Sequence, residues 1–118
     1  MDKIIVAGGR DFDDYFMVCL TLERRFAIND EIVSGGAKGA DALGERYAHE
    51  QATNFRRFPA DWDRYGKGAG WRRNKEMAEY ADVLIAFWDG KSTGTRSMIH
   101  LALKHGLEVH VYRYGPKT

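Results

Sequence analysis

A single cysteine, Cys19, stands in 118 residues, so no internal disulfide forms, and no second cysteine or histidine lies at zinc-ligand spacing from it. A reducing compartment, the cytoplasm, is the expected setting. No apolar run approaches the roughly 18 residues of a membrane span, and the N-terminus lacks the basic region, apolar stretch and small-residue cleavage site of an export signal. Neither sign of charge dominates: the net charge of +1 gives no whole-surface attraction to nucleic acid and leaves room only for a local basic patch. Internal repeats and low-complexity tracts are missing as well. What is present, 44% hydrophobic and 30% charged residues, is the composition of an ordinary globular chain and excludes disorder. The length suits a single domain over residues 1–118.

Strand and helix patterns alternate along this domain. Lys3 to Ala7 is a short β-branched run ending in Gly8-Gly9, the mark of a buried strand. After Asp13 or Asp14 as cap, Tyr15, Val18, Cys19, Leu22 and Phe26 recur at helical spacing. Glu31 to Ser34 reads as a second strand, and Ala40, Leu43, Gly44, Tyr47 and Ala48 as a second helix. Asn54 to Phe58 gives a third strand with a weak apolar signal, stopped by Pro59. Pro59 to Gly70, rich in turn formers, reads as a long functional loop. The helix that follows runs to about Ala81 with Arg73, Asn74, Met77, Ala78 and Ala81 on its inward face, so something polar should meet its first turn. Asp82 to Trp88 is the strongest strand and is assigned to the sheet centre. Thr95, Met98, Ile99 and Ala102 mark a last helix ended by Gly106, Leu107 to Tyr112 a last strand, and Gly115 to Thr118 a frayed tail. The expected fold class is α/β, a Rossmann-like three-layer sandwich with a mainly parallel sheet of about five strands.

In such a sheet the C-terminal ends of the strands share one edge, where ligands bind at the reversal of strand order. The glycines concentrate there. Gly8-Gly9-Arg10 follows strand one, Ser34-Gly35-Gly36-Ala37-Lys38-Gly39 follows strand two, and Asp89-Gly90-Lys91-Ser92-Thr93-Gly94-Thr95 follows strand four. Glycine admits close approach to the backbone, and each following helix offers unpaired N–H groups to an anion, for which phosphate is the natural occupant. Ser34, Ser92 and Thr95 add hydroxyls, and Arg10, Lys38, Arg73 and Arg96 add cationic donors. One such loop is ordinarily explained by tight turns and packing. Three at one edge favour a ligand site.

The dinucleotide fingerprint is missing, because strand one ends Gly8-Gly9-Arg10 and strand two ends in Ser34-Gly35 with no acid. Gly90-Lys91-Ser92 is not an ATPase loop, since Ile85 occupies the position of its first glycine. Neither a cofactor nor a metal is expected. Asp41 is either a helix-stabilising acid or a ribose contact, and Asp11 either a cap or a ligand-facing carboxylate. Asp89, at the site edge, favours a polar role. Trp62, Tyr65 and Trp88 are each read either as stacking on a base or as capping the core. The four histidines receive no role.

Gly-Gly-Arg-Asp-Phe near the start, Ser-Gly-Gly-Ala-Lys-Gly-Ala-Asp at 34–41, Phe-Pro-Ala-Asp-Trp at 58–62, Arg-Asn-Lys-Glu-Met at 73–77 and Phe-Trp-Asp-Gly-Lys-Ser-Thr-Gly-Thr at 87–95 form an ordered set. In this the chain resembles the YspA-like branch of the SLOG superfamily over nearly its whole length. The resemblance implies a Rossmann-like fold and kinship with the DNA-processing protein DprA and the LOG-type phosphoribohydrolases, which handle nucleotides or nucleic acid. It also implies that Gly35, Gly36, Gly39 and Asp41 line a phosphate and ribose site closed by Arg73, Asn74, Gly94 and Thr95. Dimerisation is frequent among such relatives. One departure stands out: LOG-type enzymes carry Gly-Thr-x-x-Glu in the last loop, whereas Met98 stands here at the glutamate position. A thioether neither supports an oxocarbenium-like state nor activates water.

Three functions follow as expectations. The first is a module that senses or sequesters a nucleotide or nucleotide derivative. The second is a nucleotide hydrolase of the phosphoribohydrolase type using Asp41 or Asp89 as acid–base group, with Arg73 neutralising phosphate. The third is DprA-like single-stranded DNA binding through the basic loops and Trp62 or Tyr65, with an affinity that falls steeply with salt.

Overall fold

The computed structural model describes residues 1–115, so most of the tail assigned to Gly115–Thr118 lies outside the described residues. Five strands form one sheet in the order β3-β2-β1-β4-β5: β1 (Lys3–Gly8), β2 (Glu31–Ser34), β3 (Asn54–Arg57), β4 (Val83–Trp88) and β5 (Glu108–Arg113). Every pairing is parallel, with Ile5 opposite both Val33 of β2 and Leu84 of β4. The helices are α1 (Tyr15–Arg25), α2 (Ala40–Glu50), α3 (Trp62–Tyr65), α4 (Ala69–Tyr80) and α5 (Thr93–Lys104). The expected Rossmann-like α/β sandwich is the observed fold.

Two-residue alternation divides the core between the faces of the sheet. Ile4, Val6, Ile32, Val83, Ile85 and Phe87 pack with Val18 and Leu22 of α1 and Tyr47 and Ala48 of α2. Ile5, Ala7, Val33, Leu84 and Ala86 pack with Met77 and Ala78 of α4 and Met98, Leu101 and Ala102 of α5. Because inner strands are buried on both sides, they read as unbroken apolar runs. Each fully buried Ile or Leu here contributes about 1.5–3 kcal/mol relative to exposure.

β1, not β4, occupies the centre of the sheet; β4 lies between β1 and β5. β3 is an edge strand with mostly exposed side chains, which accounts for its weak apolar signal. The segment Pro59–Gly70 is not a continuous loop. Asp61 caps α3 by accepting the Arg64 N–H at 3.1 Å, Gly66 at φ +56° ends that turn, and a 3-10 turn over Gly66–Gly68 leads into α4. α1 starts where Asp14 accepts the Met17 N–H at 3.1 Å, and α5 where the Ser92 hydroxyl accepts the Thr95 N–H at 3.4 Å.

Among the described residues, no helix is long and apolar enough to cross a membrane. The chain runs outward from β1 through β2 to β3 and then returns to place β4 on the other side of β1. The reversal of strand order therefore falls between β1 and β4, with the loops after β1, β2 and β4 at the same edge.

Candidate functional site

The loops at this edge are tied together before any ligand is considered. The Gly9 N–H donates to the Phe87 carbonyl at 3.1 Å, and the Ala40 N–H, at the start of α2, donates to the Gly9 carbonyl at 3.2 Å. Gly39 has φ +78°, and a Cβ there would stand 2.1 Å from the Gly9 oxygen, so only glycine lets the second loop pass this close to the first.

Between the loops lies a crevice with two lobes and a narrow floor. One lobe, about 580 Å³, is walled by Arg10, the Gly35–Lys38 loop, Arg57, Pro59, Ala60, Trp62 and Arg73. The other, about 650 Å³, is walled by Gly9, Arg10, Asp11, Trp62, Lys67, Trp71, Arg73, Asn74, Asp89, Ser92, Thr93 and Gly94. The floor, about 100 Å³, reaches Gly8, Asp41, Thr95, Met77 and Met98. Arg10 and Arg73 border all three spaces. Trp62 and Trp71 stand half-exposed.

The polar groups expected to meet Arg73 and Asn74, which lie in the second turn of α4, are the carbonyls of Gly35 and Gly94. Arg73 Nη1 donates to the Gly35 carbonyl at 2.5 Å and its Nε to Asn74 Oδ1 at 3.0 Å, while Asn74 Nδ2 donates to the Gly94 carbonyl at 3.4 Å. α4 thereby reaches the β2–α2 loop and, through Asn74, the start of α5. Burial lowers the Arg73 pKa and the Asp41 carboxylate beside it opposes that effect. Asp41 is itself almost fully buried and accepts the Ala37 N–H at 3.3 Å. Burial pushes its carboxyl up to about 6, against the Ala37 hydrogen bond and the Arg73 charge.

A second carboxylate–arginine pair lies one helical turn further along α2. Glu45 accepts from Arg57 Nε at 3.0 Å and from Arg57 Nη2, and it also accepts the Ser34 hydroxyl at 2.7 Å. Asp41 and Glu45 thus flank the glycine loop together with Arg73 and Arg57, and Asp41 and Arg73 meet on one side of Gly35. A Cβ on Gly35 would meet Arg73 Nη1 at 2.5 Å, and one on Gly36, whose φ is +77°, would meet Arg57 Cδ at 2.9 Å. These glycines clear the way for guanidinium groups.

In the β4–α5 loop, Asp89 accepts the Lys91 N–H at 2.8 Å and the Ser92 N–H at 2.7 Å, and these bonds hold its carboxyl below the usual range. Asp11 accepts the Tyr114 hydroxyl at 2.6 Å.

The crevice brings together Gly8, Gly9, Arg10, Gly35, Gly36, Lys38, Asp41, Trp62, Arg73, Asn74, Asp89, Ser92, Gly94 and Thr95. Five expected positions lie off it. Ser34 is fully buried, its hydroxyl engaged by Glu45 and by the Gly36 N–H at 3.0 Å. Gly39 backs onto Gly9. Tyr65 faces Arg72, whose guanidinium sits 4.2 Å from the ring centre. Trp88 lies between Arg96 and Arg113, and its indole N–H donates to the Ser92 carbonyl at 3.1 Å. Arg96 is accordingly packed on Trp88 and does not line the lobes.

Sequence reasoning passed over Arg57, Glu45, Lys67 and Trp71. Arg57 was open to discovery as the last residue of a strand whose end points to the site edge, and Glu45 as the i+4 neighbour of Asp41. Trp71 stands in the first turn of α4, beside the selected Arg73. Among the described residues, no group of three or more His, Cys, Asp or Glu side chains is placed to hold a metal ion.

A family model described as "YspA, cpYpsA-related SLOG family" matches residues 2–65, the stretch from β1 to α3. The "Gene 61 protein" of Mycobacterium phage D29 is 36% identical over 118 residues, covering 92% of this chain and 94% of that protein. No solved structure matches.

Proposed function

Because the chain belongs to the YspA, cpYpsA-related SLOG family, we propose that its crevice binds a nucleotide or nucleotide derivative, as a sensor or sequestering module. The observation that carries this reading is the convergence of the β1, β2 and β4 loops on a space bordered throughout by Arg10 and Arg73. Phosphate is the anion suited to such a place, where guanidinium forks and the amides of α5 meet. Trp62 and Trp71 offer faces on which a base stacks. Ser92, Gly94 and Thr95 lie where a sugar or phosphate oxygen finds hydroxyl and amide partners, and Asp41 or Asp11 suits a ribose hydroxyl.

Hydrolysis is a second reading, favoured by the Asp41 carboxyl. A buried acid raised to about 6 is matched to proton transfer near neutrality. Against it, Met98 is buried at 1% exposure beneath the floor, where a LOG-type enzyme has its glutamate.

Thermal unfolding of the full chain with mononucleotides, dinucleotides, ADP-ribose species and oligonucleotides tests binding, since a ligand selective for the folded state stabilises it. Mass spectrometry of the same mixtures tests turnover. A ligand-induced rise in Tm that disappears in Arg73→Ala, with no product formed, supports the binding module. Product formation that stops in Asp41→Asn shifts the assignment to the hydrolase. No rise with any nucleotide removes the reading.

A further inference from the structure

The two lobes differ in charge. The lobe beside Gly35 and Gly36 carries Arg10, Lys38, Arg57 and Arg73 and no carboxylate among its lining residues. The lobe beside α5 shares Arg10 and Arg73 and adds Lys67, but sets Asp11 and Asp89 against these three cations and carries the indole of Trp71 and a row of hydroxyls. A nucleotide is polarised in the same sense, with a dense anion at one end and an aromatic, hydroxylated body at the other.

Two of the four cations are held in place. Arg57 is gripped by Glu45 through Nε and Nη2, and Arg73 by Asn74 and the Gly35 carbonyl through Nε and Nη1. A guanidinium has five N–H donors. Each arginine therefore keeps spare donors while its orientation is fixed by the bonds it already makes, the arrangement that suits forked recognition of phosphate oxygens. Arg57 stands at the outer end of this lobe, on the edge strand, with its side chain 53% exposed against 11% for Glu45.

We propose that the crevice reads its ligand by polarity: the nucleoside lies in the Trp71 lobe, the terminal phosphate enters the Gly35–Gly36 lobe, and Arg57 selects an open phosphate end over one closed by esterification. This deepens the nucleotide-binding reading and rests on it. An open terminal phosphate carries more charge and more free oxygens than a diester. Glu45 acts as a positioning residue, since it touches Arg57 and is not itself among the residues walling the lobe.

The test is calorimetric titration of the full chain with matched pairs. Each nucleoside 5′-diphosphate, for adenine, guanine, cytosine and uracil, is compared with the same diphosphate closed by ribose or an alkyl group. The open form is expected to bind about tenfold more tightly, the worth of one charge-assisted contact. In Arg57→Ala that ratio falls close to one, because the open form loses more affinity than the closed form. Arg57→Lys recovers part of it, and Glu45→Gln lowers it. A general loss of folding cannot produce that split, and a melting curve for each variant checks that it folds. Inorganic tripolyphosphate, which has no nucleoside, is expected to bind more weakly than the diphosphates and with the same dependence on Arg57. Equal affinity for open and closed forms, or an unchanged ratio in a folded Arg57→Ala protein, overturns the polarity while leaving nucleotide binding in place. Failure of every nucleotide to bind overturns both.

Discussion

The guanidinium of Arg73 closes on the Gly35 carbonyl, 38 positions earlier, at 2.5 Å, and it occupies the space where a Gly35 side chain would begin. The partner and the vacancy form one device: the glycine admits the arginine, and the arginine fixes the loop. Gly35→Ala therefore displaces the Arg73 guanidinium from its bonds and crowds Asp41 Oδ2 at 2.9 Å, both side-chain ends that can shift, and is expected to cost about 1–2 kcal/mol. Gly39→Ala meets the Gly9 backbone oxygen at 2.1 Å in a left-handed conformation and is expected to cost more than about 3 kcal/mol. Urea unfolding of both variants measures the difference, and similar losses would contradict the assignment.

Gly94 is the opposite case. A Cβ there meets nothing within 4 Å, and the residue sits in the first turn of α5 without a left-handed backbone. Gly94→Ala is expected to stabilise the protein by about 0.4–1 kcal/mol through lower entropy of the unfolded chain. Because Gly94 lines the crevice, nucleotide-induced stabilisation should fall in the same variant. A thermal melt with and without nucleotide reads both effects, and a variant that gains stability yet keeps full ligand response argues against contact at Gly94.

Asp41 gives the chain a distinctive pH dependence. Its folded-state carboxyl is raised from 3.8 to about 6, so between those values the folded protein holds a proton that the unfolded chain has released. Stability from this group is thus present at low pH and lost as pH rises toward 6 and above, by on the order of 3 kcal/mol. Glu108, held near 2 by Arg25 and His110, acts in the opposite sense, with stability lost as pH falls toward 2. Comparison with Asp41→Asn isolates the first effect. The stability of the native protein relative to Asp41→Asn should decline from pH 4 to pH 7, and a flat difference would contradict the burial of an ionising carboxyl at this position.

The tryptophans separate by environment. Trp62 borders both lobes, while Trp88 lies off them, half-buried against Arg96, Arg113 and the Ser92 carbonyl. Ligand-induced change in indole fluorescence should disappear largely in Trp62→Phe and Trp71→Phe and persist in Trp88→Phe. Persistence in the first two would move the base away from the α3–α4 wall.

Much of this was legible in the residue order because burial leaves a regular imprint. Val83–Trp88 and Lys3–Gly8 are buried on two faces and so carry continuous apolar runs, while Val18 and Leu22 repeat with the turn of a helix facing one cluster. β3 left a faint imprint because an edge strand exposes its side chains. α3 left none, since its four residues depend on the Asp61 cap and not on a buried stripe. The glycine loops were readable from their place after strands. The pairing of Arg57 with Glu45 was not, because it joins an edge strand to a helix, and neither residue type announces burial by itself. Tyr65 and Trp88 were open to stacking or core capping on aromatic character alone, and which side of a loop a ring faces is decided by its tertiary neighbours.

Strand order reverses between β1 and β4, so the crevice floor has one wall from the first half of the chain, with Gly8 and Asp41, and another from the second, with Asn74 and Thr95. No peptide connection runs directly between neighbours β1 and β4; the route passes through β2, β3 and four α-helices. Whatever molecule rests on both walls therefore clips together portions of polypeptide that the backbone joins only by a long detour, and its departure unfastens them at the same seam.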